Sequence, residues 1–471
     1  MEKEIQKTTI EEKLDSSSMG ALVLRLGIPA MFAQFFNVLY SIVDRMFVGN
    51  ISGDGQLALA SVGVCAPAVT AISAFAFMVG IGGSSLMSIR LGEKDERGAQ
   101  KAVNNAFVML LAISAIVTAA ALLCKWPLLF LLGCSDSMYP FADAYFTICA
   151  LGTAVSIIGT GMNQFILAQG YPKQGMFAVT IGAVTNIVLD PILIFKLDMG
   201  ISGAALATVI AQLFTLIYVL KFLRKDDTPM KVGLGGYCRR TAASIISIGI
   251  MSFLITLLDN FIIILLNAML RRYAPGDAGD LYIACAAVVQ SFMTIVYLPS
   301  QGITTGCATI FSYHSGAKHF KKIDKAFTCV LSFCAVYMAI MFLSAQLAPS
   351  AIAGIFLQDS DNIAFASSFL RKYTLCMVFV AFQYAYVDGL TAMGKVRYAL
   401  PMSVFRKCVY MVCVILLPMA TALENIFYAN AISDFLGGTF TCLLFWLVIR
   451  KRLKKELTPA DDLHRRQEPG A

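Results

Sequence analysis

The chain is 471 residues long, with 58% apolar residues, 14% charged residues and a mean hydropathy of +0.73. Soluble domains contain about 45–50% apolar and about 25% charged residues, so this composition excludes a soluble globular protein and indicates an integral membrane protein. The formal net charge of +8 does not indicate a nucleic-acid partner, because the basic residues gather at the ends of apolar runs on one side of the predicted membrane.

Long apolar runs predict the membrane spans. A run of about 18 residues or more is long enough for a transmembrane helix, since about 20 helical residues cross a hydrocarbon core of roughly 30 Å. Twelve such runs occur, at 21–48, 56–88, 102–124, 139–168, 174–195, 201–222, 241–270, 281–311, 326–348, 367–390, 398–420 and 425–449. We therefore predict an all-α integral membrane protein with twelve transmembrane helices.

The distribution of lysine and arginine predicts the orientation of this multi-pass chain. If the N-terminus is cytoplasmic, 29 basic residues fall on the cytoplasmic side, including four in 395–407, and 6 fall on the other side. The positive-inside rule then places both termini in the cytoplasm. The polar start of the chain has no small-residue cleavage site, so the first span is not expected to be a removable signal peptide.

An internal repeat divides the chain. A shift of 224 residues aligns identical residues in and around the loops that follow the second and fourth spans of each half. The aligned pairs include Gly82 with Gly306, Gly92 with Gly316, Lys94 with Lys318, Ala168 with Ala392 and Gly170 with Gly394. The repeat predicts two pseudo-symmetric six-helix lobes.

The predicted organisation follows from this repeat. It consists of an N-terminal tail (1–20), a first lobe (21–222), a linker (223–240), a second lobe (241–449) and a C-terminal tail (450–471). Because six is even, both lobes begin on the same side of the membrane, and parallel repeats of this kind enclose a central site whose exposure alternates. The linker contains Pro, Gly and charged residues, which are typical of a flexible connector.

The motifs restrict the energy source. No GxxxxGK[ST] phosphate-binding motif is present, so transport would be driven by an ion gradient or by a partner chain. His314, His319 and His464 have neither metal-ligand nor triad spacing, so no enzyme activity and no cofactor are predicted. A channel is not favoured, because the sequence has neither a carbonyl-filter loop nor a motif that would form an acidic ring.

Five acidic residues lie well inside the apolar spans, where an ionisable side chain is costly unless it is paired. They are Asp44, Asp190, Asp259, Asp388 and Asp434. Asp44 in the first span and Asp190 in the fifth lie about 8 and 9 Å below the outer ends of these spans, and thus at one depth. Asn37 and Tyr40 share the helix face of Asp44. Two alternatives stay open: an interfacial pair of Asp44 with Arg45, and Asp190 as a capped residue at a structural kink.

The sequence TNIVLDPILIF (185–195) surrounds Asp190 with further polar groups. Asn186 lies four residues earlier and therefore one turn deeper on the same face. Pro191 has no N–H, so the carbonyl of Ile187 loses its helical partner and the helix is expected to kink. Two carboxylates, an amide and a free carbonyl suit a proton or a small cation, and irregular backbone of this kind is tolerated where it lines a cavity.

The acidic residues of the second half are harder to assign. Asp259 is equally compatible with an ion site and with a polar packing contact. Asp388 lies near the cytoplasmic end of its span and is predicted to be solvated or paired with Lys395 or Arg397. Asp434 has small neighbours and suits a hydrogen bond between helices.

Several motifs together resemble the multidrug and toxic compound extrusion (MATE) family, and in particular a bacterial branch that includes a staphylococcal exporter. They are SIVDRMFVGN (41–50), ALASVGV (58–64), LAQGYPKQG (167–175), TNIVLDPILIF (185–195) and SVFRKCVYMVCVILLP (403–418). The resemblance covers about residues 20 to 449 and implies a MATE-like fold of twelve helices in two lobes.

The resemblance also implies an ion-coupling network in the first lobe. Carried over residue by residue, this network consists of Asp44, Asn163, Asn186, Asp190 and Thr208. Asn37, Tyr40, Tyr145 and Asp259 are the candidate substrate contacts. A second-lobe Na⁺ site is not expected, because Asp259 lies about one turn from the family position and FVAFQYAY (379–386) contains no carboxylate.

The function implied is secondary active multidrug efflux, associated with antibiotic resistance. The chain would export organic cations across the bacterial cytoplasmic membrane in exchange for H⁺ or Na⁺, with ion and substrate competing for Asp44 and Asp190. Na⁺ could bind at this pair, and no tightly bound metal is expected. The expected partners are small organic cations or drugs and membrane lipid, and the expected state is a monomer.

A flippase for lipid-linked oligosaccharides, from a related superfamily, is the alternative. Such a protein would need several basic residues in its cavity to bind pyrophosphate, whereas Arg45 is the only basic residue firmly inside a span of the first half. A facilitator without coupling is a further alternative, but it would leave the buried carboxylate pair without a role.

Overall fold

The computed structural model describes residues 18–51, 55–226, 228–274, 279–357 and 360–457. Within these ranges the chain forms α-helices with short 3-10 and π-helical turns and no β-strand, which confirms the all-α prediction. Most of the two predicted tails lies outside these ranges. The described part of the C-terminal tail, Arg450–Leu457, is helical.

The first half contains eight described helices, one of which is only 7 residues long. They are α1 (Met19–Gly49), α2 (Gly55–Gly92), α3 (Glu96–Leu123), α4 (Lys125–Leu131), α5 (Tyr139–Leu151), α6 (Thr153–Ala168), α7 (Pro172–Pro191) and α8 (Gly200–Leu223). Helix α7 continues as a π-helical turn, Ile192–Lys196, so regular α-helical geometry ends at the Asp-Pro sequence. The missing N–H of Pro191 explains this change.

The second half repeats this order. Its helices are α9 (Arg239–Tyr273), α10 (Gly279–Gly316), α11 (Phe320–Leu347), α12 (Pro349–Ala353), α13 (Ser360–Thr374), α14 (Val396–Ala420), α15 (Tyr428–Leu444) and α16 (Arg450–Leu457). Between α13 and α14, Met377–Ala392 is a run of 3-10, α and π-helical turns. Another π-helical turn, Phe445–Ile449, joins α15 to α16.

The described helices confirm twelve membrane spans, with a correction to two of them. Ten spans are single helices long and apolar enough to cross a membrane, and two bent pairs complete the twelve. The predictions of continuous helices over 139–168 and 367–390 are wrong: the first bends by 52° between Leu151 and Thr153, and the second by 42° after Thr374. At the first bend, a Cβ on Gly152 would lie 2.4 Å from Val209 Cγ2, so only glycine permits this close approach to α8.

The structure confirms the 224-residue repeat. Helices α3 and α11 begin at Glu96 and Phe320 and end at Leu123 and Leu347, which are 224 positions apart at both ends. The turns before them place Lys94 and Lys318 at φ 61° and 57°. This left-handed conformation is uncommon for a residue other than glycine, so finding it at two repeat-related lysines shows that the two turns share one backbone geometry.

The described residues form two compact units. The first comprises Ile28–Leu257, and the second comprises Ser18–Gly27 together with the chain from Leu258 onward. The start of α1 therefore packs within the second unit, where a Cβ on Gly27 would lie 3.1 Å from the ring of Phe333. The division at Leu257 and Leu258 lies inside α9.

The linker is held against the first unit, although its composition predicts a flexible connector. Asn104 Nδ2 donates to the carbonyl of Gly235 at 2.7 Å. Asn105 donates through Nδ2 to the carbonyl of Gly236 at 3.1 Å and accepts from the N–H of Cys238 at 2.8 Å. Side-chain amides of α3 thus form the hydrogen bonds that the backbone of a free connector would form with water.

Substitution of Asn105 tests this anchoring. Asn105→Ala removes two hydrogen bonds to the linker, each contributing about 1 kcal/mol. We expect trypsin to cleave after Lys231 roughly tenfold faster than in the wild type, measured by limited digestion in detergent, because cleavage follows local opening. Asn50→Ala, which removes only a bond from Asn50 to the carbonyl of Met46 at the end of α1, is the control. Equal cleavage rates in all three proteins would contradict the anchoring.

Candidate functional site

Two carboxyl groups meet inside the first unit. Asp44 lies on α1 and Asp190 at the end of α7, with exposures of 8% and 0%. The two carboxyl groups are close enough to act on each other's charge. Neither forms an ion pair with a described residue, and Arg45 is exposed, so the alternative of an interfacial Asp44–Arg45 pair does not describe this structure. Two carboxylates at this separation repel unless a proton or a cation lies between them.

Asn186 connects this pair to α8. Its Nδ2 donates to Asp190 Oδ1 at 3.1 Å and to Thr208 Oγ1 at 3.4 Å. The first contact follows from the spacing of four residues within α7, and the second depends on the packing of α7 against α8. The structure therefore brings Asp44, Asp190, Asn186 and Thr208 together, as four of the five predicted network residues.

The fifth, Asn163, lies on α6 and borders the same region. Its Nδ2 is 3.5 Å from the carbonyl of Gly175 on α7, at the limit of a hydrogen bond. Asn163 and Asn186 both line a cavity that Thr208 also borders. Asn163 has no hydrogen bond to either carboxyl group among the described residues.

The site has an excess of acceptors. Four buried oxygen atoms have no hydrogen-bond donor among the described residues: Asp44 Oδ1, Asp190 Oδ2, Asn163 Oδ1 and Asn186 Oδ1. Buried polar atoms are nearly always paired, because an unpaired one carries the full cost of its desolvation. A set of acceptors without donors fits a positively charged occupant, which a proton shared by the carboxyl groups or a small hard cation would supply.

A cavity lies beside this cluster, among helices of the first unit. It contains about 750 Å³ of empty space, its mouth included. Its polar lining comes mainly from amide and hydroxyl groups, namely Gln34, Asn37, Tyr40, Ser156, Thr160, Asn163, Gln164, Asn186, Thr208, Gln212 and Thr215. None of the described lining residues carries a full charge. Because Asp44 and Asp190 do not line the cavity, Asn186 is the link between its wall and the carboxyl pair.

The predicted substrate contacts fall in three different places. Asn37 and Tyr40 line the cavity, and Asn37 Nδ2 donates to Gln34 Oε1 at 3.0 Å. Tyr145 is buried in an apolar core cluster and does not line the cavity. Asp259 belongs to the second unit, where it pairs with Lys407. Neither the ion site nor the polar packing contact considered for Asp259 included this lysine.

The other two acidic residues predicted inside spans of the second half, Asp388 and Asp434, also have partners. Asp434 accepts from Arg406 Nε at 3.0 Å, across α14 and α15, which agrees with an interhelical role. Asp388 accepts from Thr304 Oγ1 at 2.6 Å. The predicted pairing of Asp388 with Lys395 or Arg397 is wrong, because both cations bind Glu456, at 2.6 and 2.7 Å.

The sequence-based prediction did not identify Arg406 and Lys407 as buried charged residues. The charge count assigned them to a cytoplasmic loop, but they lie in the middle of α14, with side-chain exposures of only 14% and 11%. Their position eight and nine residues after the start of the predicted span 398–420 was the available signal. The remaining 27 basic residues still outnumber the 6 on the other side, so the orientation prediction does not depend on them.

The comparisons with known proteins agree with this architecture. The family model described as MatE matches residues 29–192 and 248–417, one segment in each repeat half. The chain is 24% identical over 445 residues to multidrug export protein MepA of Staphylococcus saprophyticus, covering 93% of this chain and 96% of the relative. It is 23% identical over 447 residues to MepA of Staphylococcus haemolyticus, covering 94% and 96%.

A solved structure shares the whole fold. It is described as the outward-facing conformation of a multidrug resistance MATE family transporter of the MOP superfamily. Its TM-score is 0.87 at 21% identity, over 94% of this chain and 98% of that chain. The twelve spans in two six-helix lobes are therefore the arrangement of this transporter fold. Since the family model matches most of the chain, the protein belongs to the MatE family of membrane transporters.

Proposed function

We propose that this protein is a secondary active multidrug exporter of the bacterial cytoplasmic membrane, which exchanges organic cations for H⁺ or Na⁺. The cluster of buried, unpaired acceptors around Asp44 and Asp190 carries this proposal, because it suits a cation and lies beside a cavity with an uncharged polar lining. The names of the MepA relatives, multidrug export proteins, support the same function.

Coupling would arise from competition for one pair of carboxyl groups. When the pair holds the coupling ion, its negative charge is neutralised and an organic cation in the cavity loses its attraction. When the ion leaves, the charge returns and attracts a cation through the polar wall at Asn186. A ligand shifts a transporter between two states only if it binds one state more tightly than the other. Because the ion and the organic cation cannot be held by the carboxyl pair at the same time, each changes the affinity for the other.

The wall of the cavity supports a cationic cargo over an anionic one. Among the described lining residues there is no Lys or Arg that could bind a pyrophosphate. Tyr40 and Phe77 offer aromatic surfaces, which attract organic cations. These features favour drug export over the flippase alternative, with Asn37 and Tyr40 as the proposed substrate contacts of the first unit.

Ethidium efflux from proteoliposomes tests the proposal. Purified protein is reconstituted with ethidium inside, and either a pH gradient or a Na⁺ gradient is imposed. We expect one of these gradients to accelerate efflux at least about tenfold over protein-free liposomes, which would also identify the coupling ion. Absence of efflux under both gradients, together with translocation of a fluorescent pyrophosphate-linked lipid, would instead support the flippase.

A further inference from the structure

A second cluster of charges lies inside the second unit, away from the Asp44 and Asp190 pair. It consists of Asp259 on α9, Arg406 and Lys407 on α14, and Asp434 on α15. Lys407 binds Asp259, and Arg406 binds Asp434. Two carboxylates and two cations thus balance, so the cluster as a whole has no net charge.

The two ion pairs differ in their access to solvent. Asp434 is fully buried and Arg406 is 14% exposed, as expected for a structural pair. Lys407 is similarly covered at 11%, but the side chain of Asp259 is 49% exposed. The Asp259 carboxylate therefore has one face bound to the chain's own ammonium and another that a second cation can approach.

The exposed carboxylate of Asp259 lies deep within a membrane span. Asp259 lies fourteen residues before the end of α9, and Lys407 lies at the centre of α14. An ionised side chain at such depth is not stable against lipid and faces water or protein instead. The exposed part of Asp259 therefore faces water and not lipid, so a dissolved cation can reach it.

Asp434 provides a place for a displaced Lys407. The Asp434 carboxylate is close enough to Lys407 to act on its charge. It accepts from Arg406 on Oδ1 and from Asn430 on Oδ2, at 3.0 and 2.8 Å. Since a carboxylate offers about four acceptor positions, Asp434 retains capacity for a further donor. Lys407 can release Asp259 without becoming an unpaired buried charge.

We propose that Asp259 is a second recognition residue for organic cations and that Lys407 is its internal competitor. Lys407 neutralises Asp259 when no cargo is present, and an incoming ammonium or other organic cation replaces it. The lysine lowers the affinity for cargo and thereby allows release. This inference deepens the proposed function and rests on it, since it requires that the cargo be cationic.

Equilibrium binding of ethidium to the purified full-length protein tests this inference. We expect Lys407→Met to lower the Kd by about tenfold, because the competitor is lost while Asp259 remains. Lys407→Arg should bind like the wild type. Asp259→Asn should raise the Kd, and adding Lys407→Met to it should bring no gain. A structural defect would weaken binding, so a gain in affinity that depends on Asp259 separates competition from misfolding.

A matched ion pair in the same unit supplies the control. Lys372 binds Glu424 at 3.2 Å, with exposures of 19% and 45%, close to those of Lys407 and Asp259. Lys372→Met removes the same charge and should leave the Kd unchanged. Lys407→Gln, which keeps a hydrogen-bond donor, replaces Lys407→Met if the latter does not elute as a single species.

The outcomes separate the two proposals. If the wild type binds ethidium and neither Lys407→Met nor Lys407→Gln binds it more tightly, the competitor role is wrong. The proposed function would then remain intact. A gain in affinity that persists in the Asp259→Asn background would also overturn it. Absence of ethidium binding to every variant would overturn the proposed function, and this inference with it.

Discussion

Asp190→Asn is expected to abolish gradient-driven efflux of organic cations, with a loss of at least about 100-fold in initial rate. Asparagine has the same shape, but it cannot hold a proton or neutralise a cation, so the ion and the cargo no longer compete. Asp190 is the fully buried member of the pair and carries one of the four unpaired acceptors, so the variant keeps only the single carboxylate of Asp44. The measurement is ethidium efflux from proteoliposomes under the gradient that drives the wild type.

Asp198→Asn is the control for this substitution. Asp198 lies eight residues further along the chain, outside the site, at φ 52°. Asparagine is among the residues that best tolerate this left-handed conformation, so the change removes a carboxylate without backbone strain. We expect Asp198→Asn to retain wild-type efflux. Undiminished efflux by a well-folded Asp190→Asn protein would exclude coupling at the first-unit carboxyl pair.

Arg406→Met is expected to destabilise the second unit strongly. Because Lys407 is bound to Asp259, the change leaves the fully buried Asp434 without an ion-pair partner, and breaking a buried ion pair from one side costs about 3–5 kcal/mol. We expect the apparent melting temperature in detergent to fall by on the order of 10 °C. Fluorescence-detected thermal unfolding of the purified protein measures this change.

The double variant Arg406→Met with Asp434→Asn identifies the cause. Removing both charges avoids the uncompensated carboxylate, so most of the lost stability should return. The aliphatic part of Arg406 also packs, since a Cβ on Gly437 would lie 2.6 Å from its Cβ, and methionine retains that volume. Equal losses in the single and double variants would show that Arg406 acts through packing and not through charge.

Much of the first-unit site could be predicted from local sequence. Asn186 and Asp190 lie four residues apart in an apolar run, and this spacing alone brings their side chains together, as the 3.1 Å contact confirms. The Asp-Pro sequence similarly indicated where α-helical geometry ends. Such features depend only on helical periodicity and on the missing N–H of proline, so no tertiary information is needed.

The bends and the partners of buried charges depended on packing between helices. Nothing in the run 139–168 distinguishes Gly152 from other span glycines, and only its approach to Val209 explains the break there. Asp259 and Lys407 are 148 residues apart, so no local spacing relates them.

The sequence by itself determined the membrane class, the twelve spans, the two-fold repeat and the polar positions on single helices. These properties follow from hydropathy and helical periodicity, which act within about 20 residues. Only the tertiary structure decided which buried charges pair, because those contacts join side chains of different helices. It also decided that Asn186 connects a cavity to the carboxyl pair, and that Asp259 and Lys407 belong to a second, charge-balanced cluster.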